Sequence, residues 1–121
     1  MPVPTVRAVG ISTGELREGD YRVFNFSRQP VFAILNDKKV RVPPGKTTDL
    51  SAPSWRRETM DMTVKLGLPK EGKVQVVYSS VWGHRPGRRM FLFILDRSDE
   101  FRPLDIRRFF DVPGVKVEGG G

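Results

Sequence analysis

Strict two-residue alternation of apolar and polar side chains is the feature that most constrains this chain. Met60, Met62, Val64 and Leu66 are apolar, and the residues between them are polar or charged. Successive side chains of a β-strand point to opposite faces of its sheet, so this period predicts a half-buried strand. No amphipathic helical pattern of ten or more residues accompanies it. The local signals therefore favour a fold built from strands.

Further strand signals recur at intervals of roughly ten residues, separated by turns rich in Gly, Pro, Asn and Asp. The predicted strands lie within residues 21–26, 31–35, 39–42, 46–50, 59–66, 73–81, 89–95 and 104–112. The last segment also fits a short helix, and residues 51–58 fit either a loop or one helical turn. Residues 67–72 and 82–88 are predicted loops. Seven to eight short strands predict an all-β, single-domain antiparallel β-sandwich, with a small barrel as the alternative.

The 121 residues leave room for one domain. Residues 1–20 hold several prolines and glycines and predict an extended N-terminal arm, with one short strand at residues 6–11. Residues 21–113 are assigned to the sandwich domain and residues 114–121 to a flexible C-terminal tail. Extended arms of this kind can pair with a neighbour's sheet edge. The longest apolar runs fall short of eighteen residues, which predicts no membrane span.

Positive charge is the main clue to a partner. The chain has 21 basic and 14 acidic residues, a net charge of +7. Residues 51–95 carry most of the excess, with eight basic and three acidic groups. Such a balance favours anionic partners but does not choose among nucleic acid, acidic lipid, anionic glycan and acidic protein.

The residue inventory excludes several kinds of chemistry. The chain has no cysteine, which excludes disulfides, thiol nucleophiles and cysteine-based zinc or iron–sulfur sites. His84 is the only histidine, and no glycine-rich phosphate loop precedes a helix. Met60 and Met62 are expected in the core rather than around a metal. We predict no catalytic residues, no metal and no cofactor, and therefore a protein that is not an enzyme.

Two clusters combine tryptophan with arginine and are the best candidates for a binding site. Arginine beside an aromatic ring can hold phosphate, stack on a base or sugar, or pair with a partner's carboxylate. A solvated basic loop beside a core tryptophan would show the same pattern, and whether the two clusters lie side by side stays open. The predicted partner- or anion-binding residues are Trp82, His84, Arg85, Arg88 and Arg89 in one cluster, and Trp55, Arg56 and Arg57 in the other.

Two other groups of residues are predicted to be structural. Arg107 and Arg108, close to two aspartates, suggest a lattice of ion pairs. Phe91 and Phe93 share one face of their strand, while Met90 and its alternate neighbours occupy the other. Both faces are apolar, so we expect this strand to be covered on both sides by the core or by a partner surface. The two helices that an aromatic RNA-binding sheet needs are missing from the pattern.

Two segments carry a family resemblance. The first combines the strand at 21–26, Ser27, the polar turn at 36–39 and the run V-x-V-P-P-G at 40–45. The second is residues 74–96, in which a short basic loop separates two strands. Together they resemble uncharacterised exported bacterial β-domains over about 40% of the chain. The resemblance implies a structural or interaction protein of the cell envelope or surface.

The function that follows is a non-catalytic binding or assembly module. Its expected partner is another protein or further copies of itself, and an anionic ligand is compatible with the charge. The alternative is a small nucleic-acid-binding β-barrel that uses a basic aromatic patch. The sequence shows no leader, so a cytoplasmic location stays open beside the envelope.

Overall fold

Two four-stranded sheets packed face to face make up the computed structural model, which describes residues 16–112. The described strands are β1 (Tyr21–Asn25), β2 (Val31–Leu35), β3 (Lys38–Val42), β4 (Thr47–Leu50), β5 (Met60–Lys70), β6 (Lys73–His84), β7 (Arg89–Asp96) and β8 (Leu104–Asp111). One 3₁₀ turn, Pro53–Arg56, lies between β4 and β5. The predicted all-β sandwich is confirmed, and its last segment is a strand.

The strand order places β1 and β7 at the centre of one sheet. The first sheet runs β4-β1-β7-β8 and the second runs β3-β2-β5-β6. All neighbouring pairs are antiparallel except β1 and β7, which run parallel with Tyr21 opposite Met90 and Asn25 opposite Ile94. The sequence prediction of an antiparallel sandwich did not include this pair. A parallel pair requires a crossover, and here the chain makes it by passing through the second sheet.

The core lies between the sheets and follows the predicted alternation. In β7, Met90, Leu92 and Ile94 are buried in the core, whereas Phe91 and Phe93 lie on the opposite face of the strand. Burying aliphatic side chains between the sheets contributes about 1.5–3 kcal/mol for each. The alternation therefore leaves a second row of large apolar side chains outside the sandwich.

The β5–β6 hairpin extends further than the sequence indicated. The predicted loop at 67–72 was wrong for its first four residues, because β5 continues to Lys70. The turn is only Glu71 and Gly72, which have φ values of 52° and 79°. Two positive φ angles are what the tight turn of a right-twisted hairpin requires. A bulge at Leu66 and Gly67 shifts the register, so strict alternation ends there.

Asn25 ties the end of β1 to the second sheet. Its buried Nδ2 donates to the backbone oxygens of Gln29 at 2.8 Å and Val42 at 2.9 Å. Its Oδ1 accepts hydrogen bonds from the backbone nitrogen and the hydroxyl of Ser27. A buried amide is tolerated when its bonding capacity is used in this way.

The chain between residues 16 and 20 packs against the sandwich. Leu16 and Asp20 are buried, and the Gly19 N–H donates to the backbone oxygen of Arg88 at 2.8 Å. The last five residues of the predicted arm, 16–20, therefore pack against the domain. Residues 1–15 of the arm and the predicted tail at 114–121 lie outside the described residues. In the part of the chain that is described, no helix is long and apolar enough to cross a membrane.

Candidate functional site

A cavity of about 460 Å³ lies where the free edges of the two sheets meet the β6–β7 connection. Strand β6 borders one sheet and β8 borders the other, so the sandwich is open between them. The residues that line the cavity are Gly83, Arg85, Arg88, Met90, Arg108, Phe109 and Phe110. Three of the seven are arginines and none is acidic. The composition of this wall suits an anion.

Arg88 is held in place by its surroundings. Its guanidinium carbon lies 4.6 Å from the centre of the Phe110 ring, and Nη2 donates to the Gly83 carbonyl at 3.0 Å. Its Nε is buried and has no hydrogen-bond acceptor among the described residues. A buried donor without an acceptor costs about 1–3 kcal/mol.

Arg108 comes from β8 and stacks on a tryptophan of the other sheet. Its guanidinium carbon lies 4.4 Å from the centre of the Trp82 ring. The Trp82 side chain is buried, and its Nε1 lies 3.3 Å from the Tyr78 hydroxyl, which accepts the hydrogen bond. Stacking leaves the N–H groups at the edge of the guanidinium available to a ligand.

The field of these arginines is not cancelled by nearby carboxylates. Within residues 16–112, Arg85, Arg88 and Arg108 form no ion pair. The positive potential reaches into the core: burial raises the pKa of Tyr21 to about 12, while the charges of Arg88 and Arg108 act to lower it. An uncompensated cluster of this kind attracts anions.

His84 lies in the core rather than in the cavity. The predicted loop at 82–88 was wrong for its first three residues, because β6 runs to His84. The ring is 1% exposed, its Nδ1 is 2.8 Å from the Tyr21 hydroxyl, and its Nε2 is 2.7 Å from the Trp55 carbonyl oxygen. A carbonyl only accepts, so Nε2 carries a proton; in the neutral ring, Nδ1 then accepts the hydroxyl proton.

The Trp55–Arg57 cluster meets the first cluster in the core but not at the cavity. Trp55 is buried, 6.3 Å from the His84 ring centre. Arg56 pairs with the buried Asp20 at 3.1 Å, and Arg57 is exposed. Neither arginine lines the cavity. The two clusters are therefore adjacent through the rings of Trp55 and His84, whereas the arginines of the second cluster lie away from the cavity.

Arg89 also has a structural role. It forms a two-pronged ion pair with Asp111 of β8, with one hydrogen bond of 2.9 Å. Hydrogen bonding to Asp111 raises the pKa of Arg89. Of the eight predicted binding residues, Arg85 and Arg88 line the cavity, and Trp82 supports it by stacking under Arg108.

Sequence reasoning missed Arg108, Phe109 and Phe110. The ion-pair lattice predicted for this segment forms only in part, because Arg107 pairs with Asp105 at 3.2 Å while Arg108 does not pair. Neighbouring residues of a strand face opposite sides, and this would have separated the two arginines once β8 was known to be a strand. The cross-sheet contact with Trp82 carries no local sequence signal.

The chain matches no protein-family model, and no curated protein or solved structure is significantly similar to it. The candidate site therefore rests on its own geometry. The resemblance of residues 21–45 and 74–96 to exported β-domains stays a prediction.

Proposed function

We propose that this protein is a non-catalytic binding module that holds an anionic group in the cavity between β6 and β8. The observation that carries the proposal is the set of three arginines, Arg85, Arg88 and Arg108, with no carboxylate among the lining residues. Two of them are oriented by stacking on Phe110 and Trp82. Oriented guanidinium groups bind phosphate and carboxylate oxygens through charge-assisted hydrogen bonds.

The position of the only histidine, His84, in the core supports a function without catalysis. Both ring nitrogens of His84 are engaged by Tyr21 and Trp55 inside the core. A general base must reach the proton that it abstracts, and this ring has no free nitrogen to do so. A place in the bacterial cell envelope stays part of the proposal and depends on the resemblance alone.

The cavity favours a compact anionic group over a long nucleic-acid track. Single-stranded nucleic acid is bound along a basic groove with successive stacking platforms. Here the uncompensated arginines converge on one cavity, whereas Arg22, Arg89 and Arg107 of the same sheet are paired with aspartates. The phosphate of a nucleotide, a phosphorylated partner or a carboxylate group would each satisfy such a site.

The test is a titration with inorganic phosphate, in which NMR amide signals of the isotope-labelled protein report binding. We expect saturable shifts at residues 83–90 and 108–110. Arg88→Gln and Arg108→Gln should each weaken binding by about tenfold, as expected for loss of a charge-assisted contact worth about 1.4 kcal/mol. Arg41→Gln removes the same charge from an exposed site on β3 and should change the affinity less than about twofold.

Other outcomes would contradict the proposal. Equal weakening by Arg41→Gln would mean that only net charge matters. No saturable binding of phosphate or of a short single-stranded DNA would remove anion binding altogether. If the DNA binds with a steep salt dependence, about −0.7 on the log–log plot for each of several phosphates, the nucleic-acid alternative replaces the proposal.

A further inference from the structure

The outer face of the first sheet carries phenylalanine where sandwiches usually carry polar residues. Alternation places Tyr21, Val23, Met90, Leu92 and Ile94 in the core, so the residues between them face outward. We call this surface the phenylalanine face. Its aromatic residues are Phe24, Phe26, Phe91, Phe93 and Phe109.

The rings form a connected cluster outside the main core. Phe24 and Phe93 stack with ring centres 4.5 Å apart, and Phe93 meets Phe109 edge-on at 5.5 Å. Phe26 stacks against Phe93 at 6.0 Å. Phe24 is 1% exposed, whereas Phe109 is 59% exposed. The second sheet packs on the opposite side, so the partly exposed rings of this face are not covered by it.

The charges of the phenylalanine face cancel. Arg22 pairs with Asp49 at 2.7 Å, and Arg89 with Asp111. Arg107 pairs with Asp105. Among the described residues, the three arginines and three aspartates of this face cancel, on a chain of net charge +7. An anionic polymer would gain little here, since its phosphates would have to displace these carboxylates.

The outer face of the second sheet, in contrast, is positively charged. Its outward strand positions include Lys39, Arg41 and Lys65 against Asp61, a net charge of +2. Two copies of a basic chain repel each other wherever such surfaces approach. Of the two outer faces, the phenylalanine face is therefore the one on which two copies meet with less repulsion.

We propose that two copies of this chain associate through their phenylalanine faces. Because the charges around the apolar centre cancel within each copy, the same face of a second copy meets no net repulsion, and a two-fold interface pairs one patch with itself. Phenylalanine and arginine are enriched in interfaces of this kind. This inference is independent of anion binding and goes beyond it.

The area of the phenylalanine face indicates how strongly two copies should associate. Two strands of eight residues (β7 and β8), one of five (β1) and one of four (β4), about 4.8 Å apart and rising about 3.3 Å per residue, give a footprint of roughly 400 Å² for each copy. Stable interfaces bury about 800 Å² on each partner. The association is therefore a reversible one, with a dissociation constant of about 10 µM or weaker.

The experiment is sedimentation equilibrium of the full chain over a wide concentration range. We expect the mean mass to rise from one to two chains, and Phe109→Ser to weaken the association by about tenfold. Phe26→Ser should do the same, and this residue does not line the anion cavity. Phe101→Ser is the matched control, because Phe101 is 82% exposed in the loop before β8 and should change the association less than about twofold.

Salt separates this proposal from the proposed function. Added salt screens the repulsion between two basic chains, so it should leave the dimer intact or strengthen it, whereas phosphate binding should weaken. A single-chain mass at every concentration overturns the proposal and assigns the cover of this face to another protein or to other residues of the chain. A dimer that Phe109→Ser and Phe26→Ser leave unchanged also overturns it.

Discussion

Replacing His84 by alanine tests whether this residue supports the fold or the ligand. The ring joins three elements: β6, which carries it, β1 through the Tyr21 hydroxyl, and the 3₁₀ turn through the Trp55 carbonyl. Since β1 and β6 belong to different sheets, the side chain is a polar link across the core. The substitution leaves both partners buried without a hydrogen bond.

The magnitude follows from these contacts. Each orphaned buried group costs about 1–3 kcal/mol, and the lost ring leaves a cavity that the neighbouring side chains fill only in part. We therefore expect His84→Ala to lower the free energy of unfolding by about 3–5 kcal/mol. Small domains have about 5–15 kcal/mol in total, so the loss is large. His84→Gln keeps a donor and an acceptor and should restore part of it.

Urea denaturation followed by tryptophan fluorescence is the assay, because Trp55 and Trp82 are both buried. Arg85→Ala is the matched control, since Arg85 follows His84 directly in the chain and is exposed. It should change the free energy of unfolding by less than about 0.5 kcal/mol. The reasoning is refuted if His84→Ala costs less than about 1 kcal/mol while lowering phosphate affinity as much as a cavity arginine does.

Two further predictions concern the buried phenol and a constrained glycine. The pKa of Tyr21 is raised from 10.0 to about 12, so its stabilising effect is complete below pH 10 and is lost as the pH rises towards 12. Between these values the stability of the wild type should fall by about 2–3 kcal/mol more than that of Tyr21→Phe in urea denaturation; parallel curves would contradict this. Gly19 has a φ of 90°, and a Cβ there would lie 2.4 Å from the Trp55 oxygen. Gly19→Ala should therefore lower the thermal midpoint well below that of Gly45→Ala, whose φ is 73° with nothing near the Cβ; equal midpoints would show that the contact is unimportant. Gly87→Ala, with open space around the Cβ, serves as the control for both.

Strand identity was predictable because it depends on local pattern. The alternation at Met60–Leu66 and the apolar run in β7 specify strands without knowledge of their neighbours. Strand ends were less predictable: β5 crosses a bulge at Gly67 and keeps Pro69 within the strand. Proline lacks the N–H that pairing uses, so a local analysis stops the strand before it. The hydrogen bonds of the long hairpin outweigh that local signal.

Burial of the two tryptophans and of His84 was not predictable. A tryptophan among arginines gives the same local pattern whether the ring is a core side chain or a binding surface. Trp55 is buried because the 3₁₀ turn closes one end of the sandwich, and this depends on contacts with Tyr21 and His84 from distant segments. Composition identified the segment that contains the candidate site, whereas packing between distant segments decided which of its side chains can reach a ligand in the cavity.

The register of β7 and β8 decides which arginines are available to a partner. Arg89 lies directly opposite Asp111, and Arg22 of β1 lies opposite Asp49 of β4, so the ladder itself neutralises these charges. Arg108 lies opposite Leu92 and faces the cavity instead. The doublets Arg88–Arg89 and Arg107–Arg108 are thus divided. One member enters an ion pair on the phenylalanine face, and the other lies at the cavity without an ion pair to any residue from 16 to 112. A shift of β8 by one residue would exchange the roles of Arg107 and Arg108, because each side chain of β8 would move to the other face, and it would take Asp111 away from Arg89. Neutral and positive surfaces therefore arise from the same residues through register, a property that no count of charges along the chain contains.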